Sequence, residues 1–283
     1  MKLDVYQKIV DLIQAGSYRT KTECLKKLQE IYPEFSEGTF HSIYSQETQR
    51  KIKLNMKKHR RPDVAQSYYE RCMRHCDSNG KPGIIVQIAN EVDFPPVMIA
   101  RIILGEYLRR TKFKEAGTVP KGHITLLLKD PNLIEHENLA KEVVLCLESD
   151  EDCGPDNDAM KRKIGEDYET HLKEILAEKN IPFLDEARQR QLGFDKTPDC
   201  RLEVPIAVDG YVVNWIESKA SFGDEESHTN YLKDQFWSYT NRFGSGMVIY
   251  WFGFIDQLDN NKNRGIVLYD RFPQQIVTLD MLL

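Results

Sequence analysis

Two carboxylates and an ammonium group set the chemistry this chain can do. Pro198-Asp199 is followed eighteen residues later by Glu217-Ser218-Lys219. A hard cation such as Mg²⁺ or Mn²⁺ takes oxygen ligands, commonly one or two carboxylates completed by waters and a substrate phosphate. Asp199, Glu217 and a backbone carbonyl near Ser218 can supply them. A metal held there polarises a phosphodiester and acidifies a bound water, while Lys219 orients the attack and offsets developing charge. The reaction class implied is metal-dependent phosphodiester hydrolysis.

Such a site needs two strands side by side. Ala207-Val208-Asp209-Gly210-Tyr211-Val212 is two apolar runs joined by Asp-Gly, a strong hairpin signal because both turn residues must accept positive φ. Alternation with a period of two puts Glu217 and Lys219 on one face of the second strand and Ile216 and Ser218 on the other. With a strict two-residue turn, Val208 pairs with Tyr211 and Asp199 lands opposite Ala220, on the wrong face. One extra residue in the first strand repairs this. Pro205 cannot donate to a ladder, so a β-bulge is expected near Val204-Pro205, after which Asp199 faces Lys219 and Arg201 faces Glu217.

Helices are expected on either side. From Asp158 to Lys179, Ile164, Tyr168, Leu172, Ile175 and Leu176 recur at helical spacing. Glu169, next to that stripe, is the expected third metal ligand; Glu166 and Glu174 are its rivals. From Tyr231 to Phe243 a second helix ends at Gly244, a residue suited to a helix C-cap. There Gln235 and Tyr239, four apart, share a face and can bind a phosphate oxygen or a nucleobase, while Phe236, Trp237 and Phe243 are expected to pack.

The order of these pieces, an acid-bearing helix, Pro-Asp, a hairpin, Glu-x-Lys, a helix with Gln-x-x-x-Tyr and a further strand, resembles the PD-(D/E)XK nuclease superfamily over about Asp158 to Ile255. That resemblance implies an α/β domain with an αβββαβ core. Lys196-Thr-Pro-Asp199, Trp215-Ile-Glu-Ser-Lys-Ala-Ser-Phe-Gly-Asp224, Asp234-Gln-Phe-Trp-Ser-Tyr239, Val248-Ile-Tyr-Trp251 and Ala89-Asn-Glu-Val-Asp93 look like the codanin-interacting nuclease family of animals. The likeness runs through most of the chain. It implies a nuclear and cytoplasmic protein that binds codanin and is tied to red-cell differentiation. DNA is the expected substrate. Asp199, Glu217 and Lys219 are all intact, as an active enzyme requires. The competing expectation is an adaptor that keeps the fold and docks a protein, for which the aromatic-rich Tyr250-Trp-Phe-Gly-Phe254 would serve; such a run is more simply a buried strand.

The chain has 283 residues, 41% of them hydrophobic, enough for a substantial core and two domains. Its apolar stretches are too short for a signal peptide or a membrane span, so a soluble intracellular protein is expected. Six cysteines are scattered without a framework, as in reduced thiols. Cys72-Met-Arg-His75-Cys76 lacks a second ligand pair at zinc spacing.

Charge is uneven. Residues 1–120 carry 21 Lys and Arg against 14 Asp and Glu, net +7; residues 121–283 carry 18 against 30, net −12. The densest basic stretch, Lys57-Lys58-His59-Arg60-Arg61 after Lys51 and Lys53, is where a phosphate backbone would be gripped, or a nuclear address read.

The N-terminal half reads as helical. Leu3–Ala15, Lys21–Tyr32 and Ser36–Tyr44 alternate with the breakers Gly16-Ser17 and Pro33. Gly83–Leu108 is a second helical pair around Asp93-Phe-Pro-Pro96, a possible helix-turn-helix whose second helix is so apolar that a core role is favoured. The expected organisation is a helical, basic region over 1–120 with a flexible boundary at Lys112–Lys121 containing Gly117, a connection over 121–157, and a nuclease-like domain over 158–283.

Overall fold

The computed structural model describes residues 1–16, 20–78, 80–115 and 118–278. Ser17, named above as a breaker, and Gly117, in the expected flexible boundary, lie outside the described residues. The chain divides into two compact units that do not follow its order. One, the sheet unit, joins Met1–Tyr44 to Arg162–Leu283; the other, the helical unit, is Ser45–Lys161. The boundary expected at Lys112–Lys121 falls inside the helical unit.

In the sheet unit, α1 (Leu3–Gln14), α2 (Lys21–Ile31) and the start of α3 (Glu37–His59) come first. Thr20 caps α2 by accepting from Glu23 N–H, and Ser36 Oγ accepts from Thr39 N–H at 3.2 Å as α3 begins. The third helix was expected to end at Tyr44. It runs to His59 because Ser45–Arg61 contains neither glycine nor proline. Tyr6, Ile9, Leu28, Phe40 and Ile43 bury their side chains in one cluster with Phe222 and Ile255. That long-range packing is why the N-terminal helices belong to the sheet unit and not to the basic helical region.

The helical unit continues α3 and adds α4 (Pro62–Asp77), α5 (Ile84–Glu91), α6 (Pro96–Thr111), α7 (Lys121–Lys129), α8 (Glu137–Ser149) and the start of α9 (Pro155–Glu178). Pro62 and Pro96 sit in the first turns of their helices, where a missing N–H costs nothing. Val97, Ile99, Ala100, Ile103 and Leu104 are wholly buried, so α6 is apolar on most of its circumference. It is the unit's core helix, and has no free face to lay in a DNA groove.

After α9 the sheet unit forms β1 (Phe183–Asp185), α10 (Glu186–Gln191), β2 (Cys200–Val208), β3 (Tyr211–Lys219), α11 (Glu225–Tyr231), a π turn over Leu232–Phe236, α12 (Trp237–Phe243), β4 (Gly246–Tyr250) and β5 (Ile266–Tyr269). The strands lie in the order β1-β2-β3-β4-β5, antiparallel through β3 and parallel from β3 to β5. Asp209 and Gly210 both have positive φ, as a tight hairpin turn demands. One sheet face buries Ile216, Met247, Ile249 and Val267 against Leu172 and Leu176 of α9; the other buries Trp215, Val248, Tyr250 and Leu268 against Phe236 and Tyr239. Gly246 cannot carry a Cβ, which would lie 2.1 Å from the Trp215 ring. Among the described residues no helix is long and apolar enough to cross a membrane.

Candidate active site

The β2–β3 ladder brings the motif together. Val208 pairs with Tyr211 and Ile206 with Val213, but past an irregularity Arg201 pairs with Trp215 and Cys200 with Ile216. The interruption lies where the proline suggested, yet it takes up three extra residues instead of one. The reason is a third strand: Leu202 pairs with Phe183 of β1, and Glu203 N–H donates to Pro182 O at 2.9 Å, so this stretch of β2 is held on its other edge. An odd insertion restores the face in either case. Three residues carry Asp199 to Glu217, not to Lys219, and Arg201 to Trp215, not to Glu217.

Direct bonds follow. Asp199 N–H donates to Glu217 Oε2 at 3.2 Å, and Ser218 N–H donates to Asp199 Oδ2 at 2.7 Å. Lys219 Nζ donates to Glu217 Oε1 at 2.7 Å and to Gln235 Oε1 at 3.0 Å. Glu217 is 3% exposed. Burial, then the neighbouring Glu217 charge, holds the Asp199 carboxyl well above the usual carboxylate range. Burial of Lys219 works against its charge, but Glu217 and then Asp199 outweigh it and hold the ammonium's pKa above its ordinary value. Buried Glu217 bonds this lysine and half-buried Asp199 acts on it by charge alone, so two carboxylates face one cation, an arrangement short of positive charge.

Glu169 is half-buried on α9, whereas Glu166 and Glu174 are exposed. Burial pushes its carboxyl up, with Glu186 and Glu217 adding to this and Lys173 and Lys219 opposing it. Its carboxyl therefore feels both Glu217 and Lys219 of the site. Among the described residues, no three His, Cys, Asp or Glu side chains gather as a group that could hold a metal. Asp199 and Glu217 form an all-oxygen pair, the donor type of a magnesium site completed by waters and substrate.

Gln235 reaches the site through its bond to Lys219. Tyr239 does not expose its ring: it is 4% exposed, edge-on to Trp215 with centroids 5.3 Å apart, and belongs to the core. The helix expected over Tyr231–Phe243 runs through a π turn at Leu232–Phe236, with Gln235 half-buried and Tyr239 buried. Burial and the charges of Glu217 and Asp199 push the Tyr239 phenol up.

Other residues shape the site without having stood out in the sequence. Gln189 of α10, wholly buried, donates to Pro198 O at 2.8 Å and to Leu184 O at 3.0 Å, fixing the turn that presents Asp199. Thr197 Oγ1 donates to Glu186 at 3.3 Å. Trp251 Nε1 donates to Ser218 Oγ at 2.8 Å. Only tertiary contacts reveal these roles. In the helical unit, Lys57, Lys58 and Arg60 are exposed with no carboxylate partner among the described residues, whereas Arg61 is paired with Asp63 at 2.9 Å.

Comparison with known proteins places the chain. A protein from Xenopus tropicalis called "CDAN1-interacting nuclease 1" is 48% identical over 262 residues, covering 92% of this chain and 85% of its own length. This chain belongs to the CDAN1-interacting nuclease 1 family. The human protein of that name is 47% identical, over 91% of this chain and 90% of its own length, and the one from Danio rerio 44%, over 92% and 86%. A family described as "Protein of unknown function TPD sequence-motif" matches residues 135–272. Thr197-Pro198-Asp199, the turn that delivers the first carboxylate, lies inside that span. No solved structure matches the chain.

Proposed function

We propose that this protein is a divalent-metal-dependent nuclease of PD-(D/E)XK type that hydrolyses phosphodiester bonds in DNA. The observation that carries the reading is the bonded cluster of Asp199, Glu217 and Lys219 at the end of the β2–β3 ladder. The element order α9-β1-α10-β2-β3-α11/α12-β4, an αβββαβ core with one short helix inserted after β1, supports the fold assignment, and the relatives' name supports nuclease action. Mg²⁺ or Mn²⁺ fits the all-oxygen pair Asp199 and Glu217, two carboxylates with a single lysine between them; these two would hold it, and Glu169, whose carboxyl feels the Glu217 charge, would be a third ligand. When bound, the ion supplies polarisation of the phosphate and a more acidic water.

The chain's own groups do the rest. Lys219, kept protonated by Glu217, donates toward the reacting phosphate and stabilises charge as it develops. Gln235 fixes the direction of that ammonium. Gln189 holds the Pro198 carbonyl and with it the Asp199 backbone. Lys57, Lys58, Arg60 and Arg61 grip phosphates without reading sequence. The six free cysteines suit a reducing compartment, in keeping with nucleus and cytoplasm.

The test is a panel of labelled linear, flapped, branched and single-stranded DNAs titrated with Mg²⁺ and Mn²⁺. Cleavage by the wild type that vanishes in Glu217→Ala and Lys219→Ala is expected. Absence of cleavage with every substrate and ion would overturn the enzyme. The relatives' name also describes an interaction with CDAN1, which favours a second role as a codanin partner. Codanin capture by wild type and Glu217→Ala alike separates docking from catalysis.

A further inference from the structure

The π turn at Leu232–Phe236 closes with Trp237 N–H donating to Leu232 O. In a regular α-helix, residues five apart point roughly 140° away from each other. A π turn closes its hydrogen bond over five residues, so residues i, i+4 and i+5 flank a single line. Here these are Tyr231, Gln235 and Phe236, and all three meet the same group. Lys219 Nζ lies 4.5 Å from the Tyr231 ring centroid, 5.9 Å from that of Phe236, and 3.0 Å from Gln235 Oε1. Tyr231 and Phe236 also contact each other, with centroids 5.8 Å apart.

The lysine needs such support. Its side chain is only 14% exposed, so little water solvates the ammonium, and the Glu217 bond pulls it to one side. Ring faces attract a desolvated cation through their quadrupole and, unlike a second carboxylate, add no charge that would compete for it. We propose that Tyr231, backed by Phe236, is a positioning residue for Lys219, and that the π turn is the device that delivers both rings to the ammonium. This rests on Lys219 acting in the phosphodiester-cleaving site proposed above.

The full-length protein is tested in two ways. Kinetically, Tyr231→Leu lowers kcat about 10- to 30-fold with KM little changed, the loss of a desolvated cation–π contact felt in the transition state. Tyr231→Phe, which keeps the ring and drops the hydroxyl, rescues turnover relative to Tyr231→Leu. Structurally, NMR of ¹³C-lysine-labelled protein, with Lys219 assigned through Lys219→Arg, places the Lys219 ε-protons upfield of the other lysines by ring current. That displacement survives in Tyr231→Phe and collapses in Tyr231→Leu.

Wild-type kcat in Tyr231→Leu, a Tyr231→Phe variant as slow as Tyr231→Leu, or a Lys219 signal among the other lysines in the wild type overturns the assignment. If thermal melts show Tyr231→Leu unfolded, Phe236→Leu takes its place, with a smaller upfield displacement and slower turnover expected, and unchanged values for both counting against it. Should the wild type cut nothing, the nuclease reading falls, while the NMR comparison still decides the contact.

Discussion

Both units of this protein bury carboxylates, and they use them differently. In the helical unit, Glu142 is 1% exposed and accepts from Gly83 N–H at 2.9 Å and Ile85 N–H at 3.2 Å, satisfying the free amides at the start of α5. Asp150 does the same for α6, accepting from Val97 N–H at 3.1 Å, and also from Asp152 and Cys153 N–H. These are structural caps over orphan donors. In the sheet unit, Asp199 and Glu217 each accept a backbone N–H too, but their charges also act on each other and Glu217 pairs with Lys219. A buried carboxylate whose neighbours are amides builds a fold. One that lies beside a second carboxylate and a lysine is the kind of group from which functional sites are made.

The largest effect tests that contrast directly. Glu217→Ala is expected to reduce cleavage at least about a hundred- to a thousandfold while leaving the circular dichroism spectrum intact; full activity in this variant would erase the distinction. Glu142→Leu should do the reverse. Stranding two buried amides costs about 1–3 kcal/mol each, so urea unfolding should show a loss of about 4 kcal/mol with cleavage unaffected under folding conditions.

Titration sharpens the comparison further. His228, 2% exposed, shares a hydrogen bond of 3.0 Å with Tyr250 through Nδ1, and its Nε2 has no partner among the described residues. Burial lowers its pKa to about 4. Since the folded value lies below the unfolded one, the unfolded chain binds the proton first. Stability is therefore fully present above pH 6.5 and lost as pH falls toward 4, by about 3 kcal/mol. His228→Gln should flatten that dependence in urea melts from pH 7 to pH 4; an unchanged slope would remove His228 as the cause.

Smaller effects follow. Asp199→Asn keeps an acceptor for Ser218 N–H but removes one of two facing charges, so it should stabilise the metal-free protein by about 1 kcal/mol while abolishing cleavage. A loss of stability would class Asp199 with the caps. Last, Lys57→Glu, Lys58→Glu and Arg60→Glu combined should weaken DNA binding several-fold and lower the salt slope by about one for each phosphate no longer neutralised, with kcat at saturation unchanged. Identical salt slopes would exclude the basic stretch from substrate binding.

How much of this was legible in the sequence depends on range. The Asp209-Gly210 turn and the shared face of Glu217 and Lys219 are local, and both were readable. The parity of the β2 register was readable as well, because Pro205 and the face of Asp199 demand an interruption. Its size was not, since β1 is only three residues long and carries no periodicity to announce its pairing with Leu202. The end of α3 was misjudged because Tyr44 borders an apolar cluster while the helix itself has nothing to stop it before Pro62. Gln189 and Tyr231 were invisible for a related reason: an amide is read as a clamp only once its carbonyls are near, and a ring as a cradle only once the helix beneath it widens.

The division of the chain also governs its synthesis. Ser45–Lys161 is contiguous, and among the described residues its hydrophobic core is drawn from within itself, so it can fold as soon as it clears the ribosome. Met1–Tyr44 emerge earlier yet must wait, because Phe222 and Ile255, which complete their cluster, follow the helical unit in the chain. The first helices therefore bury their apolar faces only once the sheet that follows the helical unit has been made.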